Sequence, residues 1–473
     1  MRRRPILLAT LVTVSVLLAS ASASASASAL PRTLTTGIAD SVYGLSANPG
    51  LWMQRTTAAG AQSVNMGVNW MEVARRQPAP GTDPSNPANP AYSWGNLDKG
   101  IRAAIAHKLR VTLSIVYAPQ WDEGPNKPPD PAANAGTWEP NAAAFGAFVK
   151  AVARRYSGSF KPVTGGVLPR VRYFQAWTEP NLPNHLTPQW VRVGGHFVAE
   201  SPIIYRSLLN AAYTAVKAVN RSDQVLVAGM APYGDLPGGA RVRPARFVRD
   251  LLCVTGQLKP APCPNPAHFD IFAHNPYDFG GPLNRSVAAD DVSLPDMGRL
   301  IRVLRAAERL GRALPRIQHP VWVTEFGWNT NPPTRNGVAL LKRARWIEQA
   351  FWVLWSQGIS NMTIYSLVDQ PLGQPYVTWQ AGLYYRNGQR KPGFEAFRFP
   401  FVVPRVSRGR AQVWTVPPVS GMVRIQARKS GRWVTLARIR ARAHGVINRQ
   451  VAISGRHMLR GVIGSNVSLG WQA

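Results

Sequence analysis

Between Gly37 and Leu367 eight short runs rich in β-branched and aromatic residues are parted by longer stretches, six of which carry apolar residues at helical spacing. The strand-like runs are 37–45, 62–69, 110–117, 171–179, 224–230, 269–274, 321–325 and 361–367, and helical patterns fill 96–109, 141–156, 203–219, 297–310 and 338–355, with a shorter one around Phe247 and Leu251. Strands that alternate with helices run parallel, because each crossover returns the chain to the same end of the sheet. Eight such units predict a closed (β/α)8 TIM barrel, and 473 residues leave room beyond it for one small domain.

The fourth run reads Val171-Arg172-Tyr173-Phe174-Gln175-Ala176-Trp177-Thr178-Glu179-Pro180-Asn181. Pro180 cannot donate to a sheet ladder, so the strand stops at a carboxylate. The seventh run, Val321-Trp322-Val323-Thr324-Glu325-Phe326-Gly327-Trp328, has the same form. In a parallel barrel the C-terminal strand ends line the mouth, and strands 4 and 7 face each other across it. Either glutamate alone reads first as a surface carboxylate capping a helix N-terminus. Together they are what cleavage of a glycosidic bond requires, an acid for the leaving oxygen and a carboxylate for the anomeric carbon. Glu179 is assigned as acid/base and Glu325 as nucleophile of a double displacement. A Lys-bearing phosphate loop, an HExxH pair and a Gly-x-Ser-x-Gly elbow are all missing from the sequence, and neither metal nor cofactor is expected.

On these motifs the chain resembles the clan A glycoside hydrolases, especially retaining enzymes of the family 39 and family 5 type. Trp177-Thr178-Glu179-Pro180-Asn181 and Thr324-Glu325-Phe326-Gly327-Trp328 look like the acid/base and nucleophile signatures, in that order, and the resemblance spans about residues 40–398. It extends to Phe269-Asp270-Ile271-Phe272-Ala273-His274-Asn275-Pro276-Tyr277, similar to the strand 6 motif that places a His or Tyr near the nucleophile. It also takes in Gly382-Leu383, Asn387-Gly388 and Lys391-Pro392 after strand 8. The resemblance implies that His274 and Tyr277 orient Glu325 and the substrate. Two positions depart from it: Thr178 stands where members usually have Asn, and Asn65 where they usually have Arg. An uncharged neighbour does less to keep a nucleophile ionised.

Trp70, Trp121, Trp177, Tyr277 and Trp328 fall at or just after strand ends. Rings there either stack on the C–H faces of sugars or pack the core. Thr178, Asn181 and Asn65 complete the expected substrate contacts. Asp369, after strand 8, either binds a distal sugar or pairs with an arginine. The Pro-rich loop 77–90 and the loop between Cys253 and Cys263 are candidates for shaping the cleft.

The flanks differ in kind. Arg2, Arg3 and Arg4, an apolar run over 6–18 and a Ser/Ala alternation before Leu30 read as a secretory signal peptide over residues 1–29. The run is shorter than the roughly 20 residues of a spanning helix, so an extracellular product without stable membrane insertion is expected. Cys253 and Cys263, the sole cysteines, are read as a disulfide, and two thiols are too few for a zinc site.

The catalytic domain is assigned to 30–402 and a basic, β-sandwich-like accessory domain to 403–473, where short alternating runs at 412–416, 422–427 and 433–439 are parted by Gly or Pro. From Phe401 onward there are thirteen Lys and Arg and no Asp or Glu, within a chain of formal net charge +32. For an exported chain this favours an anionic cell-wall or matrix polymer as partner. Nucleic acid is not expected, since no binding motif is present. An Arg-rich composition of genomic origin gives the same balance with no partner at all. The rival to a carbohydrate-cleaving enzyme is a barrel that has lost turnover and binds glycans. Thr178 and Asn65 support it, and retention of both glutamates opposes it.

Overall fold

The computed structural model describes residues 30–129, 134–372, 378–407 and 409–473, so the leader read at 1–29 lies outside the described residues. Eight strands form one sheet: β1 Thr35–Ala39, β2 Ser63–Asn69, β3 Arg110–Val116, β4 Tyr173–Ala176, β5 Gln224–Leu226, β6 Phe272–His274, β7 Val321–Val323 and β8 Asn361–Tyr365. Their order is β5-β4-β3-β2-β1-β8-β7-β6, and every pairing is parallel. Parallel bridges Leu226–Ile271 and Met230–His274 close the seam between β5 and β6, with Val227 N donating to Ile271 O at 3.0 Å. The expected (β/α)8 barrel is present. Its strands read as nearly unbroken apolar runs because lumen and helices cover both faces, as in β3, where all residues after Arg110 are buried.

The helices are α1 Pro49–Ala58, α2 Leu97–Ala106, α3 Ala142–Arg155, α4 Ser201–Val219, α5 Pro244–Leu251, α6 Gly298–Arg309, α7 Leu340–Ser356 and α8 Gly393–Arg398. In α6, Leu300, Val303, Leu304 and Ala307 recur at i, i+3, i+4 and i+7 and are buried, while Arg302 and Arg309 stay in solvent. α3 starts where Asn141 Oδ1 accepts from Ala143 N and Ala144 N at 2.9 and 3.0 Å.

Strand β1 ends at Ala39 and does not run on to residue 45, because Asp40 turns the chain. Its Oδ1 accepts from Val42 N at 3.0 Å and starts the helical turn Val42–Leu45; its Oδ2 accepts from Leu367 N and Val368 N at 2.9 and 3.1 Å, pinning this end of β1 to the chain after β8. A hairpin, Trp190–Val193 with His196–Ala199, follows β4 and was not expected from the pattern. The disulfide between Cys253 and Cys263 is formed. It follows α5, which carries the chain from the mouth back to the opposite end of the barrel, so this loop does not shape the cleft.

Beyond α8 come β9 Phe401–Ser407, β10 Arg410–Thr415, β11 Gly421–Lys429, β12 Arg432–Ala441, β13 Ile447–Ala452, β14 Met458–Ile463, β15 Asn466–Val467 and β16 Trp471–Gln472. They make two antiparallel sheets, β9-β10-β13 and β12-β11-β14-β15 with β16 beside β14. Phe401, Val413, Ile425, Leu459 and Ile463 belong to the core shared by these strands. Trp414 packs on Trp355 of α7 at 5.9 Å between ring centroids, and Phe401 N donates to Glu348 of the same helix at 3.3 Å. Among the described residues no helix is long and apolar enough to cross a membrane.

Candidate active site

The end of β4 is bent. Trp177 and Glu179 have φ of +72° and +41°, the left-handed region that costs a non-glycine residue on the order of 1–3 kcal/mol. Neighbours hold the bend: Trp177 N donates to Ile115 O at 2.9 Å, its indole Nε1 to His185 O at 2.8 Å, and Glu179 N to Gly229 O at 2.9 Å. Asn275, just past β6, then donates from Nδ2 to Glu179 Oε1 at 3.1 Å and accepts at Oδ1 from Thr324 Oγ1 at 2.7 Å. One amide thereby ties the carboxylate of β4 to the residue preceding Glu325. The approach requires glycine at 229, since a Cβ there would lie 2.1 Å from Asn275 Oδ1.

On the other side, the Tyr277 hydroxyl donates to Glu325 Oε2 at 3.0 Å. The rings of Tyr277 and Tyr365 both pack on Trp379, at 5.3 and 5.9 Å. Beside Glu179, Tyr117 is hydrogen-bonded to His185 Nδ1 at 3.0 Å, and His185 Nε2 lies 3.7 Å from Glu179 Oε2. Burial pushes His185 down to about 4, so it is a neutral neighbour and not a counter-ion.

Burial, and then the charge of Glu325, push Glu179 up to about 8, against the lowering effect of the Asn275 amide. Burial also raises Glu325, to about 7, and the Tyr277 hydroxyl opposes it. Among the described residues no lysine or arginine holds either glutamate down. A folded-state pKa above the unfolded value contributes stability that is complete below about 4.5 and is lost as pH rises through about 7 to 8. Glu179→Gln is therefore expected to leave the thermal midpoint unchanged at pH 4 and to raise it at pH 9. The gain is on the order of 2–4 kcal/mol, since each tenfold change in proton affinity between the folded and unfolded chain is worth about 1.4 kcal/mol and residual solvent access trims the sum. A midpoint equally shifted at both pH values would show that the side chain is not desolvated.

Of the expected site residues, the structure brings together Glu179, Glu325 and Tyr277, with Thr178 half-buried beside them. It spends others elsewhere. Asn181 is fully buried, its Nδ2 donating to Ala231 O and Val242 O at 3.1 Å and its Oδ1 accepting from Ala231 N, so nothing is left for a sugar. His274 is fully buried behind the strand, where Nε2 donates to Val292 O at 2.8 Å; it does not touch Glu325. Asn65 is third of seven residues in β2 and accepts from Ser114 Oγ at 2.7 Å; the strand ends at Asn69. Trp70 is core, stacked on Phe148 at 5.4 Å, and Trp328 is buried against Phe326 and Trp346. Trp121 is half-buried, its Nε1 donating to Ala74 O at 2.9 Å. Asp369 pairs with a lysine, Lys391 Nζ at 2.6 Å.

The pattern did not single out Asn275, Tyr117, His185, Tyr365 or Trp379. Asn275 lies inside the strand 6 motif, one residue from the expected His274. Of the Pro-rich loop 77–90 only Pro90 reaches the groove at the mouth, a space of about 1020 Å³ formed by the ends of β2 and β3 and the segment leading into α2, with Asn69, Arg76, Tyr92, Trp94, Asn96 and Tyr117 on its walls. Tyr117 stands between this groove and Glu179.

No protein-family model and no curated protein matches the chain. Among solved structures it is similar to a family 39 glycoside hydrolase from Bacteroides cellulosilyticus WH2, with 16% identity over 89% of this chain and 81% of that one at a TM-score of 0.53. It is also similar to a glucosidase from Croceicoccus marinus, with 12% identity over 90% of this chain and 97% of that one at a TM-score of 0.50. At these identities the likeness establishes the shared barrel fold.

Proposed function

We propose that this protein is a retaining β-glycosidase, exported from the cell, that hydrolyses O-glycosidic bonds of a polysaccharide or oligosaccharide. One observation carries the reading: two half-buried glutamates just past the ends of β4 and β7 share a site in which, among the described residues, no lysine or arginine pairs with either, so that one keeps its proton where the other has lost it. In the first step Glu325 attacks the anomeric carbon while Glu179 passes its proton to the departing oxygen; the C–O bond breaks as the glycosyl–Glu325 ester forms. In the second step Glu179, now a carboxylate, takes a proton from water, whose oxygen displaces Glu325. The ester carries no charge, so the repulsion that raised Glu179 is gone and the same group serves as base. The Tyr277 hydroxyl would stabilise Glu325 as it leaves.

The two similar solved structures, one a glycoside hydrolase and the other a glucosidase, support a carbohydrate substrate. Thr178 offers no amide beside the acid/base, but Asn275 does, which weighs against the purely binding barrel. The test is a panel of aryl β-xyloside, glucoside, galactoside, mannoside and glucuronide, with the first-formed sugar anomer read by NMR. Turnover on one of them with release of the β-anomer is expected. Release of the α-anomer would replace double displacement by single displacement, and silence on all five and on wall-derived oligosaccharides would leave a glycan-binding barrel.

A further inference from the structure

The outer face of the sheet β12-β11-β14 carries a charge pattern that the barrel's chemistry does not use. Side chains alternate across a strand, so residues of one parity share one face. In β11 one parity, Val423, Ile425 and Ala427, is buried in the core of this domain. The other parity is Met422, Arg424, Gln426 and Arg428, and the register sets these directly against Arg440, Arg438, Thr435 and Trp433 of β12. From β14, Arg460 stands opposite Gln426. Five arginines and one tryptophan thus lie on a three-stranded surface, in rows about 4.8 Å apart with steps of about 6.8 Å along each strand.

Like charges directly opposed across strands destabilise a sheet, and Arg424 with Arg438 is such a pair. No carboxylate relieves it from within, because residues 401–473 contain none. Arg460 donates to Gln426 Oε1 at 3.0 Å and lies 3.9 Å over the Trp433 ring; burial and the nearby Arg424 both disfavour its charge. A surface that concentrates repulsion in this way is complementary to a polymer that brings repeated negative charge. The Trp433 ring is covered on one face by the Arg460 guanidinium and holds it in place.

We infer that the outer face of β12-β11-β14 is a docking surface for a carboxylated polysaccharide, holding the polymer while the barrel works on the same material. The preference for a polysaccharide over other polyanions rests on the glycosidase reading of the barrel.

The test measures binding of the full chain to polygalacturonate, to the same polymer with its carboxylates methyl-esterified, to phosphatidylglycerol vesicles and to duplex DNA, between 50 and 200 mM salt. The variants are Arg424→Gln/Arg438→Gln and, as a control that removes equal charge from exposed positions of α6, Arg302→Gln/Arg309→Gln. Wild type is expected to bind polygalacturonate and not its ester, with affinity falling as salt rises. The β11/β12 variant should bind at least about tenfold more weakly, its salt slope smaller by about two, one for each arginine removed, while the α6 control binds as wild type. The thermal midpoint of the β11/β12 variant should be equal or higher, because a repulsive pair is gone; this separates lost docking from lost folding. Undiminished binding by that variant, an equal loss in the control, or tighter and equally variant-sensitive capture by DNA or vesicles would each overturn the proposal. Aryl glycoside turnover in the same preparations keeps the two readings apart: face-dependent binding without turnover removes the glycosidase reading alone, and turnover with face-independent binding removes the docking surface alone.

Discussion

Glu325→Ala is expected to lower turnover of any accepted glycoside by about 10⁴-fold or more, the scale on which removing a nucleophile acts, with substrate affinity little changed. Nothing near Glu325 can take over attack at the anomeric carbon. Tyr277 donates its proton toward this carboxylate, and its own ionisation is driven far up by burial and by the negative charge of Glu325. Asn275 and Thr324 carry no ionisable group and bond to each other. The loss should survive the addition of azide on the acid/base side, because a small anion admitted beside Glu179 cannot form the glycosyl ester. A small nucleophile entering the space vacated at 325 should instead give a glycosyl azide of inverted configuration. The checks are kcat and KM on the best aryl glycoside, with far-ultraviolet circular dichroism to establish the fold. A variant retaining more than about a hundredth of wild-type kcat would mean that Glu325 is not the attacking group.

The barrel was legible because its signal is periodic and long. Eight strand-like runs with helical crossovers leave one economical closed arrangement, and each run overlaps a strand of the barrel, although the first ran on past Ala39 and the fifth past Leu226. Although β4 and β7 themselves end earlier, at Ala176 and Val323, the two glutamates were legible because each closes an apolar run. Residues one position away were not. His274 and Asn275 are adjacent on a strand end, so their side chains point to opposite sides, and the sequence alone does not say which parity faces the mouth. The family motif favoured the histidine, and the fold turned the amide toward Glu179. Asn181 failed for a different reason: past the bend at Glu179 the chain leaves strand geometry, and its side chain satisfies backbone groups around Ala231 and Val242 that are buried under the mouth. Tyr117 and His185 could not be paired from sequence, since they come from different loops and meet only after the barrel closes. The tail's charge count was plain, but its concentration on one face followed from register alone.

Glu179→Gln is expected to reshape the pH dependence as well as the rate. In wild type the reactive form has Glu325 ionised and Glu179 protonated, so kcat/KM should rise through about 7, fall through about 8 and give a narrow bell. These are the two ionisations of a coupled pair: the first charge settles on Glu325, which the Tyr277 hydroxyl favours, and that charge then resists the second. Glutamine at 179 removes the second ionisation and leaves the first almost as it was, because Glu179 was neutral when Glu325 lost its proton. The falling limb should therefore vanish while the rising limb stays near 7. The rate should drop about 10² to 10⁴-fold on a phenyl glycoside, whose leaving oxygen needs a proton. On a dinitrophenyl glycoside, which needs none, the first step should proceed and the glycosyl ester should accumulate as a burst, because water now lacks its base. Azide should relieve that block in Glu179→Ala, where the cavity admits it, and less so in Glu179→Gln. A falling limb that persists near pH 8 in Glu179→Gln would assign the proton to another group; Tyr117, beside His185 at the same mouth, is not that group, because burial and the charges of Glu179 and Glu325 push its ionisation far above pH 8.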